Sequence, residues 1–144
     1  MSPMTLRGTR IDNRTTGPVV AGSTGVVIEI VSRAKRLPPP RPVVWESLTQ
    51  PHRQPSRPWL DPGHGEVEPR VLAADPPERL VWSSLWVDRP RDEIHLELSV
   101  AGLETLLRFT IWTPDEHPGA VEAERLRRRL SVLFNEELRT TFGA

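Results

Sequence analysis

The sequence predicts an α+β domain: a curved antiparallel sheet of about five to six strands wrapped around one long C-terminal helix, with short helices after the first strand. Three observations carry this. Strand-like runs follow one another between residues 66 and 113 with only short turns between them. The last part of the chain repeats apolar residues at helical spacing. Between the first strand and the later ones lies a stretch too rich in proline for regular pairing.

The first strand begins after Gly25. Val26, Ile28 and Ile30 alternate with Val27, Glu29 and Val31, and the run ends at Arg36. Pro38, Pro39 and Pro40 stop it. Pro42 suits the first turn of a short helix, Val43 to Thr49, because its missing N–H costs nothing there. Pro51, Pro55 and Pro58 allow only very short helices up to Trp59. Residues 61–65, Asp-Pro-Gly-His-Gly, form a turn by composition.

Four strands then follow. Glu66 to Ala74 is the first, with Asp75-Pro76-Pro77-Glu78 as its turn. Leu80 to Val87 is the second, and Asp88 to Asp92 the next turn. Glu93 to Val100 places Ile94, Leu96, Leu98 and Val100 on one face and Glu93, His95, Glu97 and Ser99 on the other, as in a sheet with one wet side. Ala101 to Glu104 turns the chain into Thr105 to Thr113, with Leu107, Phe109 and Ile111 inside. Short connections imply an antiparallel meander. A final helix is expected from Pro118 to Phe142, with Gly143 as its stop. Ala123, Leu126, Leu130, Leu133, Phe134 and Leu138 make its apolar stripe, and Arg125, Arg128, Arg129 and Arg139 lie off it.

Residues 1–24 carry too few large apolar groups to anchor them and are expected to form a flexible leader to a domain over 25–144. Formal net charge is zero, so no global field draws the chain to nucleic acid or membrane. Charge is unevenly placed: residues 1–60 hold nine Lys/Arg against three Asp/Glu, and residues 61–144 ten against sixteen, which reads as solvated blocks of like sign. The absence of cysteine removes disulfides, thiolate chemistry and cysteine zinc sites. No run suits a signal peptide or membrane span, so the expected location is the cytoplasm. His52, His64, His95 and His117 lack metal-site spacing, and neither a phosphate loop nor a nucleophile elbow is present. No cofactor or metal is expected.

Several segments resemble a known family. Pro42-Val43-Val44-Trp45-Glu46-Ser47-Leu48-Thr49-Gln50-Pro51 is similar to a recurrent element of the START-like (SRPBCC) superfamily, in the branch related to heat-shock-protein ATPase activator homologues and polyketide cyclases. Trp59, Gly65-Glu66-Val67, Asp75-Pro76-Pro77-Glu78-Arg79-Leu80-Val81-Trp82 and Thr105-Leu106-Leu107-Arg108 follow in the family's order, from about Gly25 to Phe142. The resemblance implies the helix-grip fold and often an apolar cavity between helix and sheet. It does not imply one reaction. One departure matters: the family usually has a further strand or hairpin after the Trp59 position. Here only Asp61 to His64 intervene, so the sheet and any cavity should be smaller.

The expected function is binding of a small apolar molecule, lipid- or polyketide-like, in that space. Alternatives are a polyketide cyclase or dehydratase-like enzyme and a chaperone-interacting module. A homodimer is a further option. Trp82, Ser84 and Trp86 share parity on one strand and would line the cavity with Phe109 and Leu133, or fill the core. Trp45 and Trp59 would sit near its mouth, or pack against the sheet end. Glu137 falls at about 20° on the helical wheel, between Leu133 and Leu130 on the apolar stripe. A carboxylate there is costly unless paired or wet. It is the candidate for proton transfer or for anchoring a polar ligand group, with Thr141 beside it; the alternative is that it meets water or an arginine at the open end of the fold.

Overall fold

The computed structural model describes residues 26–51, 60 and 62–139. The expected leader, Trp59, His52 and Thr141 lie outside them. Strand β1 (Ile28–Leu37) leads through the prolines to helix α1 (Arg41–Thr49). Strands β2 (Val71–Asp75), β3 (Arg79–Ser83), β4 (Glu93–Ala101) and β5 (Glu104–Thr113) follow, then helix α2 (Ala120–Val132), which continues as a π-helical turn, Leu133–Leu138. The described strands form one five-stranded sheet in the order β1-β5-β4-β3-β2, every neighbouring pair antiparallel. This is the expected architecture, at the lower end of the expected strand number.

The strand sequences explain which side is buried. Leu80 and Trp82 of β3, Ile94, Leu96 and Leu98 of β4, and Leu107, Phe109 and Ile111 of β5 face the helices and are almost fully excluded from water. Against them α2 and its continuation set Leu126, Leu130, Leu133, Phe134 and Leu138, each at 0% exposure. Phe134 is the central contact. Its ring centroid lies 5.8 Å from Trp82 and 5.7 Å from Phe109, both tilted, within the range favoured by aromatic pairs. Helix α1 closes the other end, burying Val44 and Leu48.

Local chemistry sets the turns. β4 and β5 are joined by Gly102-Leu103, with Ala101 opposite Glu104. Gly102 has φ +66°, so a glycine at the first central position satisfies a two-residue hairpin. The Pro39 carbonyl accepts from Thr105 Oγ1 at 2.7 Å, which ties the proline segment to the start of β5. Asp92, buried in the β3–β4 connection, accepts from Arg89. Burial pushes its carboxyl up, although hydrogen bonds from Arg89 and Thr113 pull the other way.

Several expectations need correction. The first strand does not keep one alternation: a bulge between Glu29 and Val31 places Ile30 and Val31 both inside. The strand expected from Glu66 begins only at Val71, because Pro69 interrupts pairing; Glu66 makes an isolated bridge with Trp86. The strand expected to reach Val87 ends at Ser83, where the Ser84 hydroxyl takes over backbone groups. Val100, expected inside, is 64% exposed because β4 there runs into the hairpin beyond the core. Glu93, expected on the wet face, is 3% exposed. Its Oε1 lies 3.0 Å from His95 Nε2, and its Oε2 has no hydrogen-bond partner among the described residues.

Replacing Phe134 by alanine removes the ring that joins α2 to two strands. The expected loss is about 3–5 kcal/mol of stability, read as a lower urea midpoint with little change in slope.

Candidate functional site

Glu137 does not stand alone. The π-helical turn carries more residues per turn than an α-helix, so positions after Val132 lag behind an α-helical wheel. Glu137 thereby moves from the centre of the apolar stripe toward the flank that carries Arg129. Its side chain is one-third exposed, and its Oε2 accepts from Arg129 Nη1 at 2.8 Å.

Arg129 also grips the sheet side. Its Nε and Nη2 donate to Glu66 Oε2 and Oε1 at 2.8 and 3.0 Å, a bidentate fork. Glu66 is fixed in turn, since Gly63 N–H donates to Oε1 at 2.7 Å and its backbone bridges Trp86. Val87 N–H to the Gly65 carbonyl and Val67 N–H to the Leu85 carbonyl hold the same segment. One guanidinium therefore joins the turn before β2, the chain after β3 and the last turns of the long helix.

The charges follow from this geometry. Burial pushes the Glu66 carboxyl up, but the Arg129 and Gly63 hydrogen bonds and the Arg129 and Arg125 charges outweigh it, leaving it below its ordinary value. The Glu66 hydrogen bond, opposed by burial and joined by Glu137, holds Arg129 above its ordinary value.

Trp86 occupies the same rung as Glu66. Residues directly opposite across an antiparallel bridge project to the same face. Trp86 is 2% exposed, and its Nε1–H is buried with no acceptor among the described residues. Such a donor costs about 1–3 kcal/mol relative to a paired one. The Ser84 hydroxyl is turned back on its own segment: it donates to the Trp86 carbonyl at 3.3 Å and accepts from the Trp86 N–H at 3.1 Å.

The other expected residues separate into groups. Trp82, Phe109 and Leu133 come together in the core beneath Phe134. Trp45 on α1 is partly buried against the same core. Trp86 and Glu137 are linked through Glu66 and Arg129. Sequence reading missed the latter two as a pair. Arg129 falls about −60° on the same wheel, beside Leu133, and that was the available signal. No local pattern pointed to Glu66. An open cleft of about 370 Å³ lies on the sheet near the start of α1, but its lining includes Arg41, Glu78, Arg79, Glu97 and Arg108, unlike the apolar walls that hold small organic ligands. Among the described residues no group of three or more His, Asp or Glu could hold a metal ion, and no helix is long and apolar enough to cross a membrane.

No protein-family model and no curated protein matches the sequence. Solved structures do match. DynU16, described as a putative protein in the dynemicin biosynthetic locus, is 21% identical with a TM-score of 0.60, over 79% of this chain and 47% of that one. The chain thus spans about half the length of DynU16. The Aha1 dimer from Colwellia psychrerythraea is 15% identical with a TM-score of 0.56, over 80% and 94% of the two chains. Protein MLL2253 from Mesorhizobium loti is 22% identical with a TM-score of 0.51, over 78% and 96%. At these identities the likeness shows the fold alone, a sheet wrapped on a long C-terminal helix as in the helix-grip fold.

The Glu66–Arg129 pair predicts a pH dependence. The folded value of Glu66 is lowered from 4.5, so its contribution is fully present above pH 4.5 and is lost as pH falls through the folded value. In urea titrations, Glu66→Gln should be less stable than the parent at neutral pH, by about 1–3 kcal/mol. The gap should close below pH 4.5. A gap that stays constant with pH would assign the loss to packing.

Proposed function

We propose that the chain binds a small, largely apolar molecule that carries a hydrogen-bond acceptor, such as a polyketide-like or lipid-like carbonyl compound. The site is the end of the inner sheet face where the π-helical turn meets the Glu66–Trp86 bridge. The observation that carries this reading is the buried Trp86 Nε1–H, which has no acceptor among the described residues. A native interior rarely leaves such a donor unpaired, and a ligand carbonyl would complete it. Glu137 and Arg129, whose side chains are 33% and 20% exposed, provide charge at the more open end, while Trp82, Phe109 and Leu133 are sealed in the core. Trp45 packs at the edge of this core, and Trp59 and Thr141 stay candidates from sequence.

Anchoring fits Glu137 better than proton transfer. Its Oε2 is held by a guanidinium that also holds Glu66. A general base must instead present its lone pair to a substrate proton.

A matched pair of probes tests the reading: 2-acetylnaphthalene, which has the acceptor, and 2-ethylnaphthalene, which lacks it. Calorimetry or quenching of tryptophan emission should show tighter binding of the ketone by about fivefold, the worth of one net hydrogen bond. Trp86→Phe keeps most of the ring surface and removes the donor, so it should erase the preference. Failure of both probes to bind the parent would overturn the proposal, as would an unchanged preference in Trp86→Phe.

A further inference from the structure

The sheet has two outer edges among the described strands, and they differ in chemistry. β1 carries Arg33, Lys35 and Arg36 beside Glu29, so charged side chains stand along its length. β2 reads Val71-Leu72-Ala73-Ala74-Asp75, with no charge before its last residue. Val71 is 47% exposed, and Ala73 and Ala74 are exposed. An edge of this kind offers unpaired backbone groups without the usual blocking lysine or inward charge. Pro69 and Pro76 bound it, so pairing is confined to residues 70–75.

The outer face of the sheet supplies the specificity. Cα register aligns Asp75 with Arg79, Arg79 with Glu97, and Glu97 with Arg108. The charges alternate across four strands, and the row ends on an anion at the open edge. Arg70 lies one rung before the Val71–Trp82 pair, opposite Ser83, whose N–H donates to the Arg70 carbonyl at 2.8 Å. Trp82 faces inward, so Ser83 and Arg70 face outward. Arg79, next to inward Leu80, also faces outward, as does its partner Asp75. Five residues separate Arg70 from Asp75, which in a regular strand would put them on opposite faces. The irregularity between Val71 and Ala73 resets the alternation and puts them on one face.

With that irregularity counted as a single rung, Arg70 and Asp75 lie two rungs either side of Ala73. A two-fold axis at Ala73 then sets Ala73 against Ala73 of a second copy and Arg70 of each chain opposite Asp75 of the other. The partner's arginine continues the alternation that Asp75 leaves open. We infer that the chain forms an antiparallel, isologous dimer through β2, joining two five-stranded sheets into one continuous sheet. The occupant of the edge is a second copy of this chain, because its own Arg70 and Asp75 are complementary in this register.

Sedimentation equilibrium of the full chain over a wide concentration range tests this. The parent should dimerise. Arg70→Asp and Asp75→Arg each replace two attractive pairs by two repulsive ones and should weaken association by about tenfold or more. The double variant Arg70→Asp/Asp75→Arg restores opposite charges and should recover most of that loss. Ala73→Lys, which sets two ammonium groups face to face at the axis, should give monomer. All three substituted positions are exposed, and circular dichroism checks that each of the four variants folds. A parent that stays monomeric overturns the dimer; single variants that dimerise like the parent, or a double variant without recovery, overturn this edge and register. None of these outcomes depends on ligand binding.

Discussion

Phe134 touches Trp82 of β3 and Phe109 of β5, and much of the molecule is arranged around that contact. A helix lying on a sheet can rotate about its own axis until a large side chain finds a fitting gap. Here the ring fixes that rotation. Leu126, Leu130 and Leu133 are then turned toward the strands, and the helix accommodates the contact by widening into a π-turn from Leu133 to Leu138. The apolar space between helix and sheet is occupied by rings at van der Waals spacing near its middle. The proposed ligand site therefore lies toward the end of the fold, away from that packed centre.

The π-turn has a second consequence. It carries Glu137 off the centre of the apolar stripe and toward Arg129. Arg129 in turn reaches Glu66, whose backbone bridges Trp86. Packing and electrostatics thus meet on one rung: a charge clamp holds the helix to the chain on either side of β2 and β3, and the indole on that rung keeps a donor unpaired. The clamp is only partly excluded from water, so the charges can be paired without the full desolvation cost of a buried ion pair.

Among the described strands β2 is an outer edge of the sheet. Natural edges are commonly blunted by charge, bulges or proline. In β2 the prolines stand at the ends and the charges flank the strand, which limits pairing to one register without preventing it.

The sequence by itself determined the fold class, the antiparallel meander, the apolar stripe of the last helix and the short α1 after the prolines. These are legible because strand and helix periods write themselves into alternating or three-to-four spacing, and because proline and glycine act locally. It also singled out Glu137 as out of place on that stripe. Only the tertiary structure decided what Glu137 meets: the π-turn carries it to Arg129, and that guanidinium is shared with Glu66, 63 residues away, to which no local rule relates it. The same holds for Glu93, whose alternation placed it in water but which is buried. Strand ends were set locally instead: Pro69 delays β2, and the Ser84 hydroxyl takes over backbone groups where β3 ends. Short-range periodicity records which face of an element is apolar; the partner that covers that face, and the charge that reaches across to it, depend on contacts between distant segments.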